Sequence, residues 1–525
     1  MPPSIPPLRA WQRRALNALD AVGERPFLLS AAPGTGKTRP ALEHARRLRQ
    51  AGAVSGVVVL CPTAPLTRQW AAAAAPLGVQ LLPDAPDARP PRDFDGVAVT
   101  YARVASDPAA WARSVRPGLL LIADEAHHLG EELAWGQSYA HAFAPVVRRL
   151  LLSGTPFRSD GTPIPGVSYD SDGVAEPDIA YTYSQAVRDG VCRPVGFITY
   201  DGTLSWRSGE DVIESSFADV LSTREAARRY RTAISAELPD GLPRILGEAH
   251  ERLQEIRADG HRDAAGLVIA ADGEHARQLT ALLRKVTGAA PVVVLHTEAR
   301  APEKLAAFRR SREPWIVAVN MVSEGVDIPR LRLGVYATAS KTALAFRQIV
   351  GRFVRIAGPE HPGASFLYLP ADPTLRRHAG DVEREIAPAL RQLGEEDPLD
   401  EREALERAAP VRDEELAAFQ PLSADVAPQL TLFGGPAPAP SAPAGATSVA
   451  ELERAPSTHE RRELLRDKRR RLVADLSRAS GRSHSELNRW LNDSVGVARV
   501  QDASIEQLER AIDLLFRRLS SRPRR

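Results

Sequence analysis

Two short segments, far apart in the chain and in a fixed order, limit what it can fold into. Ala31-Ala32-Pro33-Gly34-Thr35-Gly36-Lys37-Thr38 has the composition of a phosphate-binding loop, and Asp124-Glu125-Ala126-His127-His128 supplies adjacent carboxylates. A phosphate loop needs a buried strand before it and a helix after it. Pro26 to Ser30 reads as the strand, and Thr38 to about Gln50 carries Ala41, Leu42, Ala45 and Leu48 at helical spacing. Gly34 and Gly36 let the backbone N–H groups of Gly34, Thr35 and Gly36 wrap phosphate without a Cβ clash. The helix N-terminus adds a favourable dipole. Lys37 would then reach the β- and γ-phosphates, and Thr38 would hold Mg²⁺. Ala31 stands where the general pattern has glycine. The competing reading is a chance Gly-rich turn.

The acidic motif follows the continuous apolar run Gly118–Ala123, as expected for a parallel strand buried on both faces. Asp124 falls at the C-terminal end of that strand, where ligands bind in open α/β sheets. It would bind Mg²⁺ through water, and Glu125 would orient and deprotonate the attacking water. The two motifs together specify a nucleoside-triphosphate hydrolysis site. A solvated turn would also place two carboxylates side by side, but not after this run and this loop.

The expected fold class is α/β, with two tandem parallel-sheet domains that resemble RecA-like domains, followed by a disordered linker and a small all-α C-terminal domain. Residues 1–200 and 223–382 alternate apolar strand-like runs with helical stretches, and 201–222 lack periodicity and read as an interdomain linker. Residues 383–420 read as a charged helical extension, 421–449 as a Pro/Ala-rich disordered linker, and 450–525 as a basic helical domain. The second sheet carries no phosphate loop, which suggests a nucleotide site completed from both domains. The chain has 525 residues and a formal net charge of only +2, so nucleic-acid affinity must come from local patches. Two cysteines give no disulfide framework or metal cluster and fit a reducing cytoplasm. No signal peptide and no membrane span are expected.

The remaining motifs resemble those of superfamily 2 DEAD/DEAH-box helicases over roughly residues 8–380. Leu8-Arg9-Ala10-Trp11-Gln12 looks like the adenine-sensing motif, which implies base recognition by Arg9 and Gln12. Cys61-Pro62-Thr63 with Leu66, Gln69 and Trp70 looks like motif Ia, and Thr100-Tyr101 like motif Ib. The resemblance makes Pro62, Thr63, Thr100 and Tyr101 nucleic-acid contacts. Ser153-Gly154-Thr155-Pro156 looks like motif III and implies that His127, Ser153 and Thr155 couple the two ligand sites. Asn320 to Pro329 looks like motif V; it assigns Gly325 and Asp327 to nucleotide and Ser323, with His296 upstream, to nucleic acid. Gln348-Ile349-Val350-Gly351-Arg352-Phe353-Val354-Arg355 looks like motif VI. Its Gln348, Arg352 and Arg355 are then catalytic. Arg352 and Arg355, three apart, are expected on one helical face, poised as arginine fingers.

Glu324-Gly325-Val326-Asp327 and the leading Gln348 depart from DEAD-box RNA helicases and look more like the DNA-directed branch that includes Rad25-like helicases and the motor subunits of type III restriction enzymes. The expected activity is an ATP-dependent DNA helicase or translocase. The expected cofactors are ATP and Mg²⁺, and the expected form is a monomer in the bacterial cytoplasm. The alternatives are an RNA-dependent ATPase and an ATP-switched recruitment factor with little turnover.

Two features lie outside the motor. Gln429-Leu430-Thr431-Leu432-Phe433 resembles the short peptide by which bacterial replication and repair proteins dock on the sliding clamp, with Gln429, Leu430, Leu432 and Phe433 as contacts. The other reading is an apolar segment packed on its own motor. The cluster Arg466, Lys468, Arg469, Arg470, Arg471 is either a phosphate-binding surface or a solvated helix face. Leu508, Ile512, Leu515 and Leu519 recur at helical spacing and read as core.

Overall fold

Apolar runs flanked by helical segments become the strands of two sheets. The structure, a computed structural model, describes residues 6–131, 133–154, 163–164, 166–171, 173–208, 211–295, 298, 300–319, 328–356, 363–392, 419–430, 457–480 and 482–520. Segments 1–30, 37–180 and 450–525 form one unit, and 31–36 with 181–449 form the other.

The first sheet contains β1 (Phe27–Ala31), β2 (Gly56–Cys61), β3 (Leu81–Pro83), β4 (Gly96–Thr100), β5 (Leu119–Ala123) and β6 (Arg148–Ser153). A small antiparallel pair, β7 (Ser168–Tyr169) with β8 (Ala175–Glu176), precedes β9 (Ile179–Tyr181). The order is β3-β4-β2-β5-β6-β1-β9. From β3 through β1 every pairing is parallel, with Leu60 opposite Ala123, Ala123 opposite Leu151 and Ser30 opposite Ser153. Parallel pairing puts all the C-terminal strand ends on one edge, so the loops after β1, β2, β4, β5 and β6 converge there. β2 and β5 are buried along their whole length, as residues covered by helices on both faces must be.

The second sheet contains β10 (Val195–Ser208), β11 (Asp211–Ser215), β12 (Ala265–Ala270), β13 (Val292–Val294), β14 (Trp315–Val319), β15 (Leu331–Ala337), β16 (Ser365–Pro370) and β17 (Phe419–Leu430). Its order is β11-β10-β16-β15-β12-β14-β13, with β17 also on β10. The two parallel α/β sheets are the expected fold class.

Two segments differ from the sequence reading. Residues 201–222 are not a simple linker: 201–208 finish β10, which pairs antiparallel with β11 and with β17. Residues 421–430 are not disordered but form β17, in which Ala424 and Val426 are buried. The 421–449 stretch as a whole is rich in proline and alanine, yet over 419–430 one well-matched edge strand satisfies the backbone. A side chain at Gly202 would put its Cβ 1.9 Å from the Asp425 carbonyl oxygen, so this pairing needs glycine. The backbones of Gln429 and Leu430 pair with Thr199 and Ile198, so the first part of the clamp-like peptide is strand rather than tether. Leu432 and Phe433 lie outside the described residues. Among the described residues no helix is long and apolar enough to cross a membrane.

The C-terminal segment is a bundle of three helices, Thr458–Ser480, His484–Val495 and Ile505–Ser520. Its core joins Val473, Leu476, Leu487, Leu491, Ala511 and Leu515, with Leu519 packed at the margin. Ser483 caps the middle helix, accepting from the Glu486 N–H at 3.2 Å, while Glu486 accepts from the Ser483 N–H at 3.0 Å. Much of the basic cluster is structural. Buried Arg469 donates to Asn488 and Asn492 at 2.8 and 3.1 Å, and Arg466 donates to the Gln501 carbonyl at 2.7 Å. Lys468 lies over the Phe516 ring. Lys468, Arg470 and Arg471 are the members exposed to solvent.

This bundle belongs to the same unit as the first sheet. Arg462 is 1% exposed and donates to the carbonyls of Ala503 and Gln501, each at 2.9 Å, with its guanidinium 5.2 Å from the centre of the Phe94 ring. The Ile505 N–H donates to Asp93 at 2.7 Å. Replacing Arg462 with Ala takes its donor from the buried Ala503 carbonyl, leaves the Gln501 carbonyl to Arg466 alone, and removes the cation–π contact. A loss of about 2–3 kcal/mol in urea unfolding is expected. Unchanged unfolding would mean that the bundle is held elsewhere.

Candidate active site

The phosphate-loop lysine is fixed by the two carboxylates that follow β5. Lys37 precedes the helix Thr38–Gln50, and Thr38 is that helix's first residue. The Lys37 ammonium forms a short ion pair with Glu125 and lies 3.3 Å from Asp124 Oδ1. Burial opposes its charge, but Asp124 and Glu125 outweigh that and raise its pKa. Glu125 is likewise penalised by burial, yet Lys37 and His127 hold its carboxyl low, at about 2. Asp124 moves the other way, pushed up by burial in spite of Lys37. The pair therefore shares one ammonium unequally, with the firmer negative charge on Glu125.

Asp124 is held from four directions. Its N–H donates to the Leu60 carbonyl at 2.8 Å, which continues the β2–β5 pairing. Trp70 Nε1 donates to Oδ2 at 2.8 Å. The Tyr101 hydroxyl donates to its carbonyl at 2.7 Å. Its Oδ1 accepts from the Glu125 N–H at 3.1 Å. Glu125 has φ of 51°, in the left-handed region where a non-glycine residue is strained. The Ala126 N–H then donates to the Leu152 carbonyl at 2.8 Å, so the chain turns sharply after β5 and returns to the sheet.

The motif III segment meets this turn. The Gly154 N–H donates to Glu125 Oε2 at 3.3 Å, and His127 Nδ1 lies 3.3 Å from the Ser153 hydroxyl and 3.6 Å from Glu125 Oε2. The structure thus brings together Lys37, Asp124, Glu125, His127 and Ser153. Thr155 lies outside the described residues, as do His296, Ser323, Gly325 and Asp327.

In the loop itself Gly34 and Gly36 take φ of 81° and 86°, as phosphate wrapping needs. The Thr35 hydroxyl donates to the Ala32 carbonyl at 2.6 Å and closes the turn. Gln12 is buried and its Oε1 accepts from the Arg9 N–H at 3.0 Å, capping the helix Ala10–Ala21.

Two nucleic-acid assignments change. Tyr101 is 2% exposed, stacks on Trp135 at 5.6 Å between ring centres, and spends its hydroxyl on Asp124. It is a support of the acidic motif, not a surface contact. Pro62 is buried at the end of β2. Thr63, part-exposed, and Thr100, whose hydroxyl accepts from the Arg103 N–H at 3.1 Å, each precede a helix on the site edge. Trp70 is the residue that motif reading undervalued. A buried indole must find an acceptor, and β2, which leads into the helix that carries Trp70, pairs with β5, whose C-terminal end leads into Asp124.

In the second unit the helix Ala343–Phe353 carries Gln348 and Arg352, and Arg352 is buried. Arg355 does not continue that helix. It forms an antiparallel bridge with Cys192, so the two arginines do not share a helical face. Within this unit a Cβ on Gly34 would come 3.0 Å from Arg355 Cγ.

The donor set fits Mg²⁺. Among the described residues no group of three His, Cys, Asp or Glu side chains could cage a metal. Mg²⁺ instead favours one or two carboxylates, water and substrate phosphates, which Asp124 and the Thr38 hydroxyl suit.

Residues 5–81 match the family profile "Type III restriction enzyme, res subunit", and residues 249–357 match "Helicase conserved C-terminal domain". The Mycobacterium tuberculosis (strain H37Rv) uncharacterized protein Rv2917 is 39% identical over 457 residues, covering 85% of this chain and 75% of its own. The Mycobacterium leprae uncharacterized protein ML1624 is 40% identical over 388 residues, covering 72% of this chain and 64% of its own. A Vibrio vulnificus YJ016 fragment assigned to the HsdR subunit of a type I restriction enzyme shares the fold, with TM-score 0.50, 18% identity, and coverage of 72% of this chain and 67% of that one. The chain belongs to the superfamily 2 helicases, with a restriction-enzyme-like first domain and a helicase conserved C-terminal domain.

Proposed function

We propose that the protein hydrolyses ATP to move along or separate DNA. The observation that carries this reading is the Lys37–Asp124–Glu125 constellation, with Glu125 wired to motif III through Gly154 and His127. When ATP enters, the γ-phosphate draws Lys37 away from Glu125. Freed from the cation that held its pKa low, the carboxylate becomes a stronger base and can then orient and deprotonate a water. Mg²⁺, held by Asp124 and Thr38, would supply charge neutralisation on the phosphates. Gln12 and Arg9 select adenine, and Arg352 and Arg355, with Gln348, stabilise charge developing on the γ-phosphate. A change in the Glu125 environment reaches Ser153 through His127, which links hydrolysis to the nucleic-acid contacts at Thr63, Thr100, His296 and Ser323.

The match of residues 5–81 to a restriction-enzyme res subunit supports DNA over RNA. Phosphate release by the full chain should rise with single-stranded or duplex DNA and much less with RNA. Stimulation by RNA alone would move the assignment to RNA remodelling. Nucleotide-dependent binding without turnover would make it a switch.

A further inference from the structure

Arg193 precedes β10 and is 2% exposed, yet among the described residues its two terminal guanidinium nitrogens have no acceptor. Among those residues no carboxylate bonds to it. Another buried guanidinium, Arg332, is near enough to repel it; burial first and Arg332 second pull its pKa down to about 9. Burying an unpaired charge beside a like charge is unfavourable, and apolar replacements of such groups are commonly neutral or stabilising. Arg193 is therefore poorly explained as a stabilising residue.

What Arg193 does make is a set of bonds to one place. Its N–H donates to the Val354 carbonyl at 2.8 Å, and its Nε donates to the Arg355 carbonyl at 2.8 Å. Its neighbour Cys192 forms the antiparallel bridge with Arg355. The Tyr183 hydroxyl donates to the Arg193 carbonyl at 2.7 Å, and the Ser365 hydroxyl donates to the Phe353 carbonyl at 2.9 Å, which anchors both sides. Beyond Phe353 the chain has left its helix, so the helix no longer fixes where the Arg355 side chain starts. The 192–193 segment fixes it.

We propose that Arg193 is a positioning residue for Arg355, holding that residue's backbone so that its guanidinium begins from one defined point. The proposal rests on Arg355 acting on the γ-phosphate. It predicts that stability and turnover part company. In full-length Arg193→Met the charge is gone but the volume is kept, so the unfolding temperature should be unchanged or higher. Its kcat should fall about 10²-fold, the scale of an ångström-sized misplacement. KM for ATP should stay put, because Lys37 and the loop are intact. Arg193→Lys can still donate to the Arg355 carbonyl and should recover part of kcat. Arg355→Ala, measured alongside, separates the two ideas. Slow Arg355→Ala with wild-type kcat in Arg193→Met overturns the positioning role alone. Wild-type turnover in Arg355→Ala overturns the role of Arg355 and the proposal with it. A parallel fall in kcat and unfolding temperature in Arg193→Met, with no recovery in Arg193→Lys, makes Arg193 a structural residue and also overturns the proposal.

Discussion

Glu125→Gln and Lys37→Ala should each cut ATP turnover by about 10²–10⁴-fold or more, the scale of losing a positioned general base, but with opposite consequences for the resting protein. Glu125→Gln removes one of two carboxylates that share a single ammonium, leaving Lys37 against Asp124. It should fold as well as wild type, bind ATP and retain nucleic acid. Lys37→Ala leaves two adjacent carboxylates with no cation, and like charges in one site raise each other's pKa. In the wild type Glu125 ionises at about 2 instead of its ordinary 4.5. That depressed value contributes stability fully present above 4.5 and lost as pH falls through about 2. Thermal unfolding of Lys37→Ala should therefore lag wild type most at neutral pH, with the gap narrowing from about 4.5 downward. Near-normal phosphate release in either variant would remove the site. A pH-independent stability gap would mean that the Lys37–Glu125 pair is not formed in solution.

Strand positions were legible because parallel strands buried on both faces must be apolar runs, and β5, β12 and β14 fall where such runs occur. The phosphate loop and acidic motif were legible because each needs an unusual residue pattern at a strand end. The supports were not. Trp70 reads as one more motif Ia side chain and Tyr101 as one aimed at nucleic acid, and only the order β4-β2-β5 puts both beside Asp124. The strained φ of Glu125 likewise has no signature in a glutamate. β17 was hidden because its composition reads as linker, and its partner β10 lies more than two hundred residues earlier. Arg469 carries the same side chain as solvent-facing Arg470, and only the helix phase separates a buried amide-bonded arginine from an exposed one. The run 466–471 therefore promises more free charge than it holds.

Arg352→Ala and Arg355→Ala are each expected to slow hydrolysis on the order of 10³-fold or more, the effect of losing an arginine finger. The two variants should differ in everything else. Arg352 is buried on the helix Ala343–Phe353, so truncating it leaves a void in the second unit and lowers the unfolding temperature. Arg355 lies past the end of that helix and is part-exposed, and its backbone is secured by Cys192 and Arg193 whatever its side chain. Arg355→Ala should thus leave stability near wild type and isolate the guanidinium's share of catalysis. Affinity for a fluorescent ATP analogue should change little in both, because Lys37 and the backbone of the loop remain. Single-turnover hydrolysis at saturating ATP reads the chemical step directly. Wild-type rates in both variants would mean that the first unit hydrolyses ATP without help from the second. Loss of analogue binding in Arg355→Ala would move this arginine from stabilising the transition state to holding the ground state.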